Sequence, residues 1–364
     1  MKTNYFLFFL MILFVGNVSA QESILVINSG TKQIAQLNAV DGTVINPAFI
    51  DMSTVSSGTI KGIAQVGDKI WISDQTQDKI HLYNLDGTFS SVITGGLDNL
   101  RGLNVVNNEV WVTNAGSGNG AAANSIARFS TSGSLLGYYP SITSPFDVLD
   151  TKNGFVYISS LSNNGIQKMD YAGTVSGNFV APGIFQNTQQ INFNSAGNLI
   201  VAVFQNHSGG NNAGIYVLSS TDASILNYWP VTAGQLRGVI QTSNGNYLYS
   251  TGSGVFLIDA ATGTVSSIAS GSYQFFTKIT TAAMSTSEVE STDVRLYPNP
   301  VSDRLYITSQ KKIKDVMIYS ADGKLVKKLL EGKTDLPVSD LLPGPYFIKM
   351  TIDNTQKAVK FIKK

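Results

Sequence analysis

Six positions spaced through the chain share a context that would bring their side chains to one place. They are Lys61, Arg101, Phe146, Gln189, Arg237 and Lys278, and Arg101 and Arg237 stand in identical Leu-Arg-Gly settings. Four of the six are cations, and cations gathered around one axis repel unless a counter-ion or carboxylates neutralise them. One reading is a site for an anionic or carboxylate-bearing ligand, or a glycan, held by Lys61, Arg101, Phe146, Arg237 and Lys278, with the arginine forks giving directed hydrogen bonds. The other is that these side chains bond backbone carbonyls, or Asp74, Asp98 and Asp147, and tie structural units together.

Other chemistry is thin. The chain has no cysteine, so disulfides, thiolate metal sites and a cysteine nucleophile are excluded. His81 and His207 are the only histidines. A Ser-His-Asp triad would have to use one of them, and no Gly-x-Ser-x-Gly elbow surrounds any serine. Asp74 and Asp78 lack the Asp/Asn-rich run of an EF-hand. Glu22 and Glu109 are the only glutamates before residue 286, which leaves Asp74 with Asp147 as the least implausible carboxylate pair for glycoside hydrolysis. No metal site, cofactor or catalytic residue is expected. A metal-dependent hydrolase or lyase at the axial mouth is the enzymatic alternative, and a passive adhesion component is a third reading.

The elements that must position these residues come from a repeat. Residues 61–102 (KGIAQVGDKIWISDQTQDKIHLYNLDGTFSSVITGGLDNLRG) contain an apolar stretch, a Gly-Asp turn, a strand, a polar loop, a second strand, an Asp-Gly turn and a last strand. That is a four-stranded antiparallel meander. Hairpin pairs recur at Asp41-Gly42, Asp86-Gly87, Ser132-Gly133, Ala172-Gly173, Asp222-Ala223 and Thr262-Gly263, each followed by Thr or Ser. A period of about 40–50 residues marks propellers and solenoids. The first unit lacks its own inner strand, and the leftover segment Phe275–Ala282 can supply it and close the ring. The fold class is therefore all-β: a six-bladed propeller followed by a small Ig-like sandwich. The blade grammar over 22–282 resembles the NHL-repeat and strictosidine-synthase-like six-bladed families, a resemblance that carries fold and little function.

Two faces follow from this grammar. One bears the long loops Asn114–Ser125 and Gln205–Gly214, with Phe146, Phe185 and Phe204 as aromatic candidates for a groove floor. The opposite face has tight turns at Gly67-Asp68, Asn107-Asn108 and Ser243-Asn244-Gly245, which are expected to leave little room for a site. Trp71 and Trp111 occupy equivalent second-strand positions and read as blade packing.

The ends of the chain differ from its middle. Lys2, the apolar run Tyr5–Val15 and Val18-Ser19-Ala20 read as a cleavable export signal over 1–20, too short to span a bilayer. No later segment is long and apolar enough to anchor the mature chain. Residues 21–285 carry 10 Lys+Arg against 14 Asp+Glu (net −4), and 286–364 carry 14 against 10 (net +4). The overall net charge of +1 gives no reason to expect a nucleic-acid partner. Residues 283–292 read as a linker, dividing a propeller at 21–282 from a sandwich at 293–364.

In the last segment Tyr297-Pro298-Asn299-Pro300 with Asp303, then Gly323, Gly344 and Tyr346, and the basic end Lys360–Lys364, resemble the type IX secretion sorting domain of Bacteroidetes-type bacteria. The resemblance implies that the type IX machinery is a partner, and that the product is secreted or displayed on the outer-membrane surface. The expected function is that of a non-enzymatic binding protein recognising its ligand on the loop-rich face.

Overall fold

The computed structural model describes residues 21–56, 58–161, 165–231, 235–281, 294–309, 313–320, 325–329, 334–352 and 355–364. The export signal, the linker and Gly323 lie outside them. The chain forms two compact units, Gln21–Thr281 and a C-terminal one beginning at Ala282.

The first unit is six four-stranded antiparallel sheets. Blade 2 is representative: Ile60–Val66, Lys69–Asp74, Lys79–Asn84 and Phe89–Thr94, in that order from the axis outward. Its second and third strands are buried at almost every residue whichever way the side chain points. Both faces of a blade are covered by neighbouring blades, so period-2 alternation gives way to continuous apolar runs. The outer strand Phe89–Thr94 is mostly exposed, and the polar FSSVIT reflects that. Six apolar clusters fill the six gaps between blades, with Trp71 in the gap between blades 2 and 3 and Trp111 in the gap between blades 3 and 4.

The hairpin signal has a simple cause. Asp86 accepts the Thr88 N–H at 2.9 Å and the Thr88 hydroxyl at 2.6 Å, and Asp41 with Thr43 and Asp222 with Ser224 do the same. The Asp side chain builds the turn and the Thr or Ser completes it. Gly87 supplies the positive φ of 86° that the turn needs.

The ring is closed by strands from the two ends of the unit. Tyr273–Thr281 is the inner strand of blade 1 and pairs with Gln21–Asn28, in the register Ser23↔Ile279 and Val26↔Phe276. Closure gives blade 1 its fourth strand, so Gln21–Asn28 is paired on both sides.

One irregularity recurs at the inner strands. The pairing slips between Ile60 and Ile63, Leu100 and Leu103, Pro145 and Val148, and Thr188 and Ile191, and the closing strand slips opposite Val26 and Asn28. Each slip is a β-bulge at the same level of its blade, which frees backbone groups from the ladder and re-aims side chains. Hydroxyls on the second strands take up the freed groups. Ser73 Oγ accepts the Gly62 N–H at 2.7 Å and donates to the Arg101 carbonyl of the next blade. Thr113 Oγ1 lies 3.1 Å from both the Gly102 and the Phe146 carbonyl oxygens. Ser159 accepts the Asp147 N–H at 3.0 Å and donates to Gln189 O at 2.7 Å, and Ser250 donates to Gln274 O.

The C-terminal unit is a two-layer sandwich. One sheet is Val294–Tyr297, Arg304–Ser309 and Asp335–Pro337; the other runs Leu325–Lys328, Ile313–Ser320, Gly344–Ile352, Thr355–Lys363. Leu305, Ile307, Val316, Ile318, Ile348 and Phe361 are central to its core. The motif residues mostly hold the last strand and its turns. Asn299 Oδ1 accepts the Ile362 N–H at 2.9 Å, and Val301, just after Pro300, bridges to Lys363 in parallel. Tyr297 is exposed and stacks on Tyr306, while Asp303 O accepts the Val338 N–H at 2.8 Å. Tyr346 packs on Phe361 and donates to Leu342 O at 2.9 Å, and Gly344 carries φ 150°.

Thr113→Val keeps the shape of the side chain but removes the one hydroxyl proton that the buried Gly102 and Phe146 carbonyls share. The expected loss is about 1–2 kcal/mol, read as a lower guanidinium midpoint by fluorescence of the buried tryptophans. An unchanged midpoint would mean that the hydroxyls do not hold the blades together.

Candidate functional site

The inner strands and their entries bring Lys61, Arg101, Phe146, Gln189 and Arg237 to one level of the axis. The sixth residue there is Gln274, not Lys278. The closing strand begins at Tyr273 and bulges at Gln274, so Lys278 falls four residues further along, opposite Ile24. It is exposed at the other end of the strand, 3.7 Å from Glu22. No Leu-x-Gly signature marks the bulge in this strand, so the alignment by sequence misses it.

The axial residues form a plug. Lys61 and Arg101 are only 6% and 4% exposed. Lys61 Nζ crosses the axis to Gln274 Oε1 (2.7 Å) and Gln189 Oε1 (3.3 Å), and lies over the rings of Phe146 and Phe275 at 4.6 and 5.3 Å. Arg101 rests on Phe146 and donates to the carbonyls of Pro145 (3.1 Å) and Ser144 (3.3 Å) in the next blade. Arg237 does the equivalent, reaching Ser272 Oγ at 2.8 Å and Tyr273 O at 3.4 Å. Burial holds the Lys61 amine well below its ordinary value, and Arg237 and Arg101 push it the same way. Burial also lowers Arg101, to about 10.

Directly beneath the plug the second bulge residues are Gly62, Gly102, Asp147, Gln190, Gly238 and Phe275. The glycines make room: a Cβ on Gly102 would stand 2.1 Å from Asp147 Oδ1, and one on Gly238 would stand 2.9 Å from Gln190 Oε1. Asp147 Oδ2 accepts the Ile191 N–H at 3.0 Å, and Gln190 Oε1 accepts the N–H groups of Val239 and Phe276, each at 3.1 Å. Two polar side chains thus satisfy backbone donors of other blades.

Below that layer a funnel of about 600 Å³ opens toward the tight-turn face. The expectation that this face leaves little room for a site is corrected here. A two-residue turn cannot fold back over the axis, so the short turns leave the funnel uncovered. Asp147, Gln190 and Phe275 form its floor, and Lys152, Ser195, Ser243 and Lys278 reach its rim. At mid-depth the inner strands present Ala64, Asn104, Leu149, Asn192, Ile240 and Thr277. Sequence reasoning missed these residues, although each lies three places beyond its bulge.

The remaining candidates are structural in their contacts. Asp74 is fully buried, accepts the Ser56 hydroxyl and the Gln77 N–H (3.2 Å), and has His81 Nε2 at 3.7 Å. Serine and histidine therefore both address the carboxylate, and the histidine does not stand between the other two as a triad requires. Among the described residues no group of three His, Cys, Asp or Glu could hold a metal ion. The loop Asn114–Ser125 is pinned by Asp98 to the Gly118 N–H (2.6 Å) and by Asn119 to Asp78 (3.0 Å). Phe185 is buried against Tyr216 and is no groove floor, whereas Phe204 borders a shallow hollow of about 660 Å³ with Asn212, Tyr228 and Pro230.

Burial pushes the Asp147 carboxyl up to about 7, against the Ile191 and Val148 N–H groups and the Lys61 charge. The unfolded chain releases this proton near 3.8 and the folded chain keeps it to about 7, so the group's contribution to stability falls as pH rises between those values. Asp147→Asn keeps an acceptor for Ile191 and removes the titration. Its urea midpoint, relative to wild type, is expected to rise between pH 4.5 and 7.5; a constant difference would place the carboxylate outside this account.

Residues 295–364 match the family profile described as the secretion system C-terminal sorting domain. Among solved structures the chain is similar to a protein of unknown function from Bacteroides caccae, with a TM-score of 0.52 and 15% identity over 72% of this chain and 99% of that one. It is also similar to a chain of the nidogen/laminin complex, with a TM-score of 0.55 and 14% identity over 71% and 98%. At such identities the likeness is one of fold. No protein of curated function matches the chain in sequence. The chain thus carries a β-propeller followed in sequence by a sorting domain that directs it to the cell surface or the medium.

Proposed function

We propose that this exported propeller is a binding protein and that its ligand enters the axial funnel from the tight-turn face. The observation that carries the reading is the funnel itself, closed at one end by the plug and open at the other. Its volume, about 600 Å³, falls in the range of small-molecule sites, and its lining mixes apolar walls with a few convergent polar groups. The loop-rich mouth supports binding less well, because Lys61 and Arg101 are buried there and Arg237 is bonded to the next blade. The plug makes the scaffold rigid, and a rigid scaffold places site residues accurately.

Thr277 and Asn104 are half-buried in the funnel wall. Thr277→Trp and Asn104→Trp fill the funnel from blades 1 and 3. The mature chain, soaked as crystals in a mixed set of small sugars, amino acids and carboxylic acids, is expected to show density in the funnel that both variants lose. Density confined to the Phe204 hollow or to the outer strands would overturn the reading.

A further inference from the structure

Resting on that reading, we infer that the ligand is an uncharged carbohydrate, bound through the hydroxyls of about one or two sugar units. The charges around the funnel are already matched. Asp147 holds the Ile191 and Val148 N–H groups at 3.0 and 2.9 Å, Lys152 pairs with Asp150 at 2.8 Å, and Lys278 faces Glu22 at 3.7 Å. Gln65 is committed to the Thr280 backbone and Gln241 to the Ser195 and Gly245 backbone. A charged ligand would lose its hydration without gaining an unpaired counter-charge.

What remains open are side-chain amides. Among the described residues the Asn104 side chain has no hydrogen-bond partner, and Asn192 uses only Oδ1, toward the Phe193 N–H at 3.1 Å. Both lie half-buried at the same depth, two blades apart around the axis. An amide offers a donor pair and an acceptor together, and neighbouring hydroxyls on a sugar ring offer the same in return. Ala64, Leu149 and Ile240 at that level face the funnel with aliphatic surface suited to the C–H faces of the ring. A ligand without hydroxyls or amides would strand the Asn104 amide in a narrow cavity.

Calorimetry on the mature chain tests this with N,N′-diacetylchitobiose, cellobiose and maltose as neutral probes, and galacturonic acid and glucosamine as charged ones. At least one neutral probe is expected to bind, about tenfold more weakly in Asn104→Ala and in Asn192→Ala, with melting temperatures unchanged and binding abolished in Thr277→Trp. If only the charged probes bind and Thr277→Trp abolishes it, the funnel stands and the claim that its ligand is uncharged falls. Sugar binding that survives Thr277→Trp overturns the funnel as the site. Failure of all three neutral probes overturns the carbohydrate class.

Discussion

The propeller depends on the way its inner strands give up regular pairing at one level and hand freed backbone groups to the next blade in most of the ring. A bulge exposes a carbonyl and an N–H deep in a low-dielectric interior, where leaving them unpaired is costly. The second-strand hydroxyls of Ser73, Thr113, Ser159 and Ser250 meet that demand, and all four reach a carbonyl of the following blade. The fifth blade has Ala202 at that place, and there the Gln190 N–H bonds Arg237 O directly while the Gln190 side chain crosses to Val239 and Phe276. Adjacent blades are thereby tied at a fixed height around the axis, and the six apolar clusters only have to fill the gaps that this spacing defines.

The same irregularity creates the electrostatics. Bulging turns Lys61 and Arg101 inward, and glycine at 62, 102 and 238 lets the neighbouring blades approach. Three cations with one carboxylate in a closed space would be unstable if all were bare. They are tolerated because Arg101 and Arg237 spend their donors on carbonyls and Lys61 lies between two aromatic rings and two amides. Asp147 takes the complementary role, with burial favouring its protonated form. The axis is thus a polar core surrounded by an apolar one, and the glycines are part of the reason that it fits.

Much of this was legible in the sequence because it repeats. Turn pairs followed by Thr or Ser, two of them Asp-Gly, announced six hairpins, and the two Leu-Arg-Gly settings announced two of the axial positions. The closing strand was legible as an element, but its register was not: Gln274-Phe275 carries neither glycine nor arginine, and register there is fixed by pairing with Gln21–Asn28, some 250 residues away in sequence. The funnel was hidden for a related reason. Asn104 and Asn192 sit at equivalent depths, but their equivalents in the other blades are Ala64, Leu149, Ile240 and Thr277, so no repeated residue type marks the level. Lining chemistry is set by how blades differ, whereas repeat analysis reports how they agree.

The closing pair has a consequence for maturation. Gln21 stands opposite Thr281, so the first and last residues of the ring are joined in one ladder. Among the described residues, every strand pairing of the six blades is made between them. Proteolysis anywhere beyond Thr281 would remove no strand, no blade interface and no axial side chain. A cut there therefore leaves the ring's own pairings whole, and the antiparallel seam holds the newly exposed end beside the first residue of the ring.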